Sequence, residues 1–297
     1  MNYRLSRIAA ICGGKFSGCD SEVRSVVTDS RSLSCELGCR PMFVAMRGAN
    51  HDSHDFIADM QSRGVRAFLV ERGVEASSCT GECGFVQVDN AIEALQRLAA
   101  YHRAQFRGTV VGITGSNGKT VIKEWIAEEL PEGMKYYRSP KSYNSQLGVP
   151  LSVLMLEGDE ELAIFEAGIS KPGEMERLER IIRPDAVIFT SIGDAHQENF
   201  INLEQKCDEK MILARSASKI IYHSYYEPLG RMVAAHFADR RPVDAASYPE
   251  VPESVIGNAA SRRNAQIVEA FCDVMHYPAP SFAAAPSVAM RLEVKEG

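Results

Sequence analysis

Six consecutive residues, Gly115, Ser116, Asn117, Gly118, Lys119 and Thr120, carry the most specific chemistry in this chain of 297 residues. They follow the apolar run Thr109–Thr114 and precede a stretch of helical spacing, Val121–Leu130. A strand, a glycine-rich turn and a helix N-terminus together aim backbone N–H groups at an anion. In such a turn Lys119 adds a point charge for phosphate oxygens, and the Thr120 hydroxyl suits Mg2+. A plain βα turn with a surface lysine would not need these residue types to agree. The general phosphate loop reads G-x-x-x-x-G-K-[ST], which would put its first glycine at Ile113. Gly115 stands too close to Gly118 for that spacing, so the loop is a shortened one.

The elements around the loop alternate. TVVGIT, ELAIFEAG, DAVIFTSIG and KIIYHS are continuous apolar runs of the kind buried on both faces of a parallel sheet. VIKEWIAEEL, GEMERLERII and LEQKCDEKMILARSA lie between them with helical spacing. This βαβ series predicts a three-layer α/β domain over 108–297 whose ligand sits at the carboxyl ends of the strands. Glu166 and the loop residue His196 follow apolar runs and fall on that edge. Ahead of it, SVVTDSRS, PMFVAMRG, VRAFLVE and FVQV read as short strands and HDFIADMQSRG as a helix, giving a small α/β domain over 1–107. Asn90 and Glu93 form a capping pair for a helix that leads out of it. After Pro228 the pattern is less regular, with a helix expected from Ser261 to His276 and a β-like run, VAMRLEV, near the end.

Composition excludes several classes. The chain is 45% hydrophobic and 24% charged with a net charge of −6, which argues against non-specific nucleic-acid binding. No apolar stretch approaches a membrane span, and the N-terminal apolar segment is too short for a signal peptide, so a cytoplasmic location is expected. Cys35 with Cys39, and Cys79 with Cys83, are spaced C-x3-C without a nearby histidine. Cys207 and Cys272 lie in helix-like segments, and reduced, non-ligating thiols are expected throughout. Lys206 and Lys210, at i and i+4, read on spacing alone as a solvated basic face.

The loop Gly-Ser-Asn-Gly-Lys-Thr resembles the compact ATP loop of the Mur ligase superfamily, which also includes the folylpolyglutamate synthetases. KSYNSQLGVPLSVL (141–154) resembles that family's Asn-rich stretch, with Asn144 and Gln146 on the substrate side. IFEAGISKPGEMERLERIIRPDAVIFTSIGDAHQENF resembles the stretch that supplies magnesium ligands, which implies that role for Glu166 and His196 beside Thr120. The family often carries a carbamylated lysine that helps hold a second magnesium, and Lys210 is the match. VVTDSRSL and MFVAMRGANHDSHDFI resemble a uridine-nucleotide domain, which implies that Asp29, Ser30, Arg31, Gly48, Asn50, Asp52 and His54 lie near the UDP part of the substrate.

Within the superfamily the resemblance is strongest to the MurF type, as in the ligase half of proteins where a MurF-type ligase precedes an alanine racemase. It implies ATP and Mg2+ as cofactors, with UDP-MurNAc-peptide and D-Ala-D-Ala as substrates. The reaction would be amide formation through an acyl phosphate, catalysed with Lys119, Glu166, His196 and Lys210. Three departures stand out. Asp52-Ser53-His54 replaces a Gly-Asp-Gly-type loop. The family's His-Asn-x-x-Asn near the adenine reads Ala260-Ser261-Arg262-Arg263-Asn264, so Asn264 alone remains. The segment from Leu229 to Gly257 is short, and the chain stops where the family continues into a third, Rossmann-like domain. A Mur ligase adding the third peptide residue, a small-molecule kinase and a nucleotide-binding fragment without turnover remain alternatives.

Overall fold

The computed structural model describes residues 1–32, 40–48, 52–71, 82–193 and 197–282. The chain divides into two compact units, Met1–Phe106 with Pro150–Glu157, and Arg107–Val149 with Gly158–Gly297. A boundary near 107 alone does not provide for Pro150–Glu157, which returns to the first unit. Among the described residues no helix is long and apolar enough to cross a membrane.

The first unit opens with β1 (Tyr3–Arg4), α1 (Leu5–Cys12), β2 (Lys15–Gly18), β3 (Glu22–Val23) and β4 (Ser25–Val27). It continues through β5 (Pro41–Val44), α2 (Ile57–Ser62), β6 (Ala67–Glu71), β7 (Gly84–Val88) and α3 (Ala91–Arg103). Its five-stranded sheet runs β2-β7-β6-β5-β4, parallel except at β2, while β1 and β3 form a separate antiparallel pair. Phe43, Phe68 and Phe85 pack in one core, with Phe68 and Phe85 stacked 5.3 Å apart. The Asn90 side chain accepts the Glu93 N–H at 2.9 Å, which satisfies one of the orphan donors at the start of α3.

The second unit contains β8 (Thr109–Thr114), α4 (Lys119–Glu128), β9 (Tyr136–Arg138), the start of α5 (Gly148–Val153), β10 (Leu162–Ala167) and α6 (Glu174–Ile182). β11 (Ala186–Phe189), α7 (Leu203–Met211), β12 (Lys219–Tyr222), α8 (Leu229–His236), β13 (Val243–Asp244) and α9 (Ala259–Met275) complete it. All neighbours in the six-stranded sheet β13-β12-β11-β8-β10-β9 are parallel. The period-2 pattern of β8 divides its side chains between two layers. Val111 and Ile113 join Ile122, Trp125 and Ile126 of α4 and Phe271 of α9 in one core. Gly112 faces the other way, where an added Cβ would stand 3.2–3.3 Å from Leu213 and Pro184. The three-layer reading therefore has a direct packing basis, with helices on both faces of a sheet too apolar to meet water.

The segment after Pro228 is more regular than its sequence pattern predicts, since it holds α8 and the two-residue strand β13. The run VAMRLEV lies outside the described residues. Cys207 and Cys272 are buried in α7 and α9, where burial pushes their thiols up to about 11 and about 12, so both stay protonated and apolar.

Ile164, fully buried in β10, contacts the core on the α4 side. Replacing it with Ala is expected to cost about 2–5 kcal/mol. Chemical denaturation checks this through a lower midpoint at an unchanged slope.

Candidate nucleotide site

The register of three strands builds the site. Thr114, at the end of β8, pairs with Ala167 of β10 on one side and Phe189 of β11 on the other. The residues that follow each strand therefore emerge at one level of the sheet. Glu166 lies inside β10, one residue short of its end, rather than beyond it. β10 and β11 flank β8 and do not pair with each other. His196 falls outside the described residues, as does Asn50.

After β8 the chain has no room for a side chain. A Cβ at Gly115 would stand 1.9 Å from Thr190 Oγ1, and the residue holds φ +152. Gly118, at φ +85, turns the chain into the start of α4. The loop between them is clamped by the end of β11. Ser116 N–H donates to the Ser191 carbonyl at 2.7 Å and Asn117 N–H to Ser191 Oγ at 3.1 Å. Thr190 and Ser191 hydroxyls donate in turn to the Asn117 carbonyl. Two of the amides expected to face an anion are thus committed to holding the loop. No hydrogen bond among the described residues uses the N–H groups of Gly118, Lys119 or Thr120. These three, at the first turn of α4, are the donors open to a phosphate.

Cations line the loop. Lys119 Nζ donates across it to the carbonyls of Gly115 and Ser116 at 2.9 and 3.2 Å. Lys206 and Lys210 do not form a solvated face, because their side chains are 1% and 2% exposed. Lys206 donates to the Gly193 carbonyl and Lys210 to that of Gly115 at 3.2 Å. The face of α7 that carries them packs inward, and backbone oxygens take the place of water around both ammonium groups. Burial, then the charges of Lys119 and Lys206, lowers Lys210 to about 7. Burial also lowers Lys119, against an opposing pull from Glu166.

Opposite these cations stands one enclosed carboxylate. Thr120 Oγ1 donates to Glu166 Oε2 at 3.1 Å. Lys123 Nζ faces Glu166 Oε1 at 2.8 Å as an ion pair, although that oxygen has no aligned hydrogen bond. A hydroxyl beside a carboxylate oxygen is the hard donor set that Mg2+ accepts, and the buried oxygens of Glu166 have spare capacity. Among the described residues no group of three or more His, Cys, Asp or Glu could hold a metal by itself, so such an ion would rely on phosphate and water oxygens as well. Lys123 escaped the sequence reading. Its position one turn past Lys119, on the same side of α4, was the available signal.

The other expected site residues separate into groups. Asn144 accepts the Gly168 N–H through its backbone at 2.8 Å, which brings it to the end of β10 beside Glu166. The side chain of Gln146 donates to the Glu174 carbonyl at 3.1 Å. Asn264, on α9, lies against Gly118, where an added Cβ would stand 3.0 Å from its Oδ1. In the first unit Asp29 and Arg31 pair with each other through Oδ1 and Oδ2 at 3.0 and 2.8 Å, and that guanidinium holds Asp29 down to about 2. The Ser30 carbonyl accepts from Arg63 at 2.6 Å. Gly48 is exposed. His54 is held at both ring nitrogens, Nδ1 by Asp52 at 2.5 Å and Nε2 by the Glu71 N–H at 3.2 Å, which orients the ring.

Sheet order, clamped loop and converging lysines define an α/β protein of the phosphate-loop type. Residues 113–248 match the Mur ligase middle domain. The chain is 31% identical over 189 residues to the UDP-N-acetylmuramoyl-tripeptide--D-alanyl-D-alanine ligase of Bacillus subtilis, a match that takes in 64% of this chain and 40% of that one. The chain thus spans under half the length of this relative. In fold it is similar to MurF from Acinetobacter baumannii, with TM-score 0.80 and 22% identity over 96% of this chain and 68% of that one. It is also similar in fold to the MurF ligase of Thermotoga maritima solved with ADP, with TM-score 0.71 and 22% identity over 86% and 64%.

Lys210 gives a pH dependence of stability with a definite sign. With its folded-state value near 7 and an unfolded value near that of a free lysine, the unfolded chain binds the extra proton between those limits. Stability contributed by this group therefore rises with pH from about 7 to 10, by at most ~1.4 kcal/mol per unit. Melting curves of wild type and Lys210→Met across that range should diverge, with wild type gaining on the variant as pH increases.

Proposed function

We propose that this chain is the uridine-nucleotide and ATP-binding part of an ATP-dependent amide ligase that joins D-alanyl-D-alanine to UDP-MurNAc-tripeptide. The observation that supports it most is the placement of Lys119, Thr120 and Glu166 around the open amides of one helix N-terminus. The ligase names of the relatives and the ADP in the Thermotoga structure agree with that reading. The substrate carboxylate attacks the γ-phosphate to give an acyl phosphate and ADP. The amine of the dipeptide then attacks the acyl carbon, and phosphate leaves.

Phosphoryl transfer asks a protein for alignment and charge neutralisation more than for covalent help. The N–H groups of Gly118, Lys119 and Thr120 grip phosphate oxygens, and the Lys119 ammonium balances their charge. Lys210, donating to the Gly115 carbonyl, adds positive charge beside the loop. Asn264 beside Gly118 is placed to meet the nucleoside end. Thr120 and Glu166 would hold Mg2+, with His196 completing the set on the resemblance described above. That ion would neutralise charge on the transferred phosphoryl group. The first unit would hold the uridine nucleotide near the Asp29–Arg31 turn and the loop from Gly48 to His54. Asn144 and Gln146 would act on the acceptor side.

Two measurements on the full chain test this. Lys119→Ala should lower Mg-ATP affinity by well over about tenfold in calorimetry, because a charge-assisted contact to the triphosphate is lost while no core contact is. Unchanged affinity in a folded variant would remove the loop from the site. Titration with UDP-MurNAc-tripeptide should shift the amide resonances of Asp29–Arg31 and of the loop from Gly48 to His54. A response confined to other residues would refute the assignment of the first unit. With the remainder of a ligase supplied, phosphate release should require both UDP-MurNAc-tripeptide and D-Ala-D-Ala.

A further inference from the structure

β9 is the edge strand of the second unit's sheet and runs parallel to β10, so its carboxyl end lies on the same side as the loop. A cleft of about 430 Å3 opens there, lined by Glu124, Tyr136, Arg138 and Lys141 with Ser139 and Pro140. Two neighbours orient Arg138. Its Nε faces Glu124 Oε2 at 3.1 Å, Nη1 donates to the Tyr136 hydroxyl at 3.0 Å, and the guanidinium carbon lies 5.9 Å from the centre of that ring. No hydrogen bond or ion pair among the described residues uses Arg138 Nη2. The exposed Lys141 side chain has no such partner either. Its backbone holds φ +48, a state that L residues seldom adopt, and its carbonyl accepts from Lys123 Nζ at 2.7 Å. The same ammonium donates to the Ser139 carbonyl at 2.8 Å and faces Glu166 Oε1 at 2.8 Å. One ammonium group thus separates the wall of the cleft from Glu166.

Charge in this corner does not balance. Glu124 stands between two cations, with Oε1 3.4 Å from Lys123 Nζ and Oε2 on Arg138. Lys123 also faces Glu166, so the three cations Lys123, Arg138 and Lys141 meet two carboxylates. The surplus is a single positive charge, and the donors left over belong to Arg138 Nη2 and the Lys141 ammonium. A planar guanidinium with free N–H groups matches the geometry of a carboxylate. A single surplus charge suits a monoanion better than a phosphate dianion, which Glu124 would repel.

We propose that this cleft is a subsite for a carboxylate of the acceptor peptide other than the one that becomes the acyl phosphate, bound by Arg138 with Lys141 at the rim. This rests on the ligase reading given above, in which the reacting carboxylate comes to the γ-phosphate beside Glu166. Anchoring a second carboxylate fixes the direction from which the peptide reaches that point. Acceptor choice then depends on the acidity of the peptide as well as on the uridine nucleotide.

Calorimetry on the full chain tests it with three probes: UDP-MurNAc-tripeptide, the same compound with its non-reacting carboxylates converted to amides, and UDP. Wild type should bind the acidic peptide about tenfold more tightly than the amide form. Arg138→Met should bind the acidic peptide about tenfold more weakly than wild type and should no longer tell the two forms apart, with UDP affinity as in wild type. Arg138→Lys keeps the charge without the fork and should fall between them. Lys141→Met removes an exposed side chain and should weaken the acidic form alone, by a smaller factor, which keeps the test open if Arg138→Met does not fold. A merely structural Arg138 would weaken both forms equally. Equal affinity of wild type for the acidic and amide forms would overturn the proposal. So would a folded Arg138→Met variant that keeps wild-type discrimination. Failure of wild type to bind UDP-MurNAc-tripeptide at all would instead bring down the ligase reading, and this inference with it.

Discussion

In-register pairing of β8 with β10 on one side and β11 on the other sets the distances in the site. Because Thr114 is level with both Ala167 and Phe189, Gly115, Gly168 and Thr190 begin their loops from the same height. Parallel strands lie about 4.8 Å apart, close enough for side chains from neighbouring ends to meet. A slip of one residue in β10 would turn Glu166 to the opposite face and place Phe165 or Ala167 in its stead. The apolar residues on both faces of these strands hold that register. Val111, Ile113, Ile164 and Ile188 all enter the core shared with α4 and α9. The precision of a polar site here is set by the packing of aliphatic side chains beneath it.

The shortened loop follows from the same constraint. Its Ser116 and Asn117 amides are spent on Ser191, so β11 grips the turn directly. Fewer amides then remain for the ligand than a longer loop would present, and those that remain sit at the first turn of α4. Lysines supply the rest of the positive field. Close packing at Gly115, where even a methyl group would collide with Thr190, keeps the loop from relaxing into another path.

Much of this was legible in the sequence because it is local. The apolar run Thr109–Thr114, the two glycines and the helical spacing after Lys119 together placed β8, the loop and α4. The capping of α3 by Asn90 was legible for the same reason. Short elements were not. β9 and β13 are three and two residues long, too short for a period to show, and their pairing partners decide them. Spacing alone allowed a solvated face for the two lysines of α7, since periodicity reports which residues share a face but not whether backbone oxygens will meet it. That Asp29 and Arg31 pair with each other could not be read from the sequence either, since spacing does not say which polar neighbours bond. Lys123 went unnoticed because its partners come from two distant segments, at Ser139–Lys141 and at Glu166.

The choice of partners explains how so many buried lysines can coexist. A carboxylate beside each ammonium would satisfy its donors but erase the positive field that a triphosphate requires. Backbone carbonyls satisfy donors through their dipoles and leave the net charge in place, at the expense of desolvation that lowers Lys119 and Lys210. Lys119 and Lys210 follow that pattern. Lys123 departs from it, and it stands 2.8 Å from the fully enclosed carboxylate of Glu166. Lys119 and Lys210 thus leave positive charge at the loop, while the lysine one turn deeper is set 2.8 Å from Glu166. Exchanging those partners would keep the count of charges and lose the function of both.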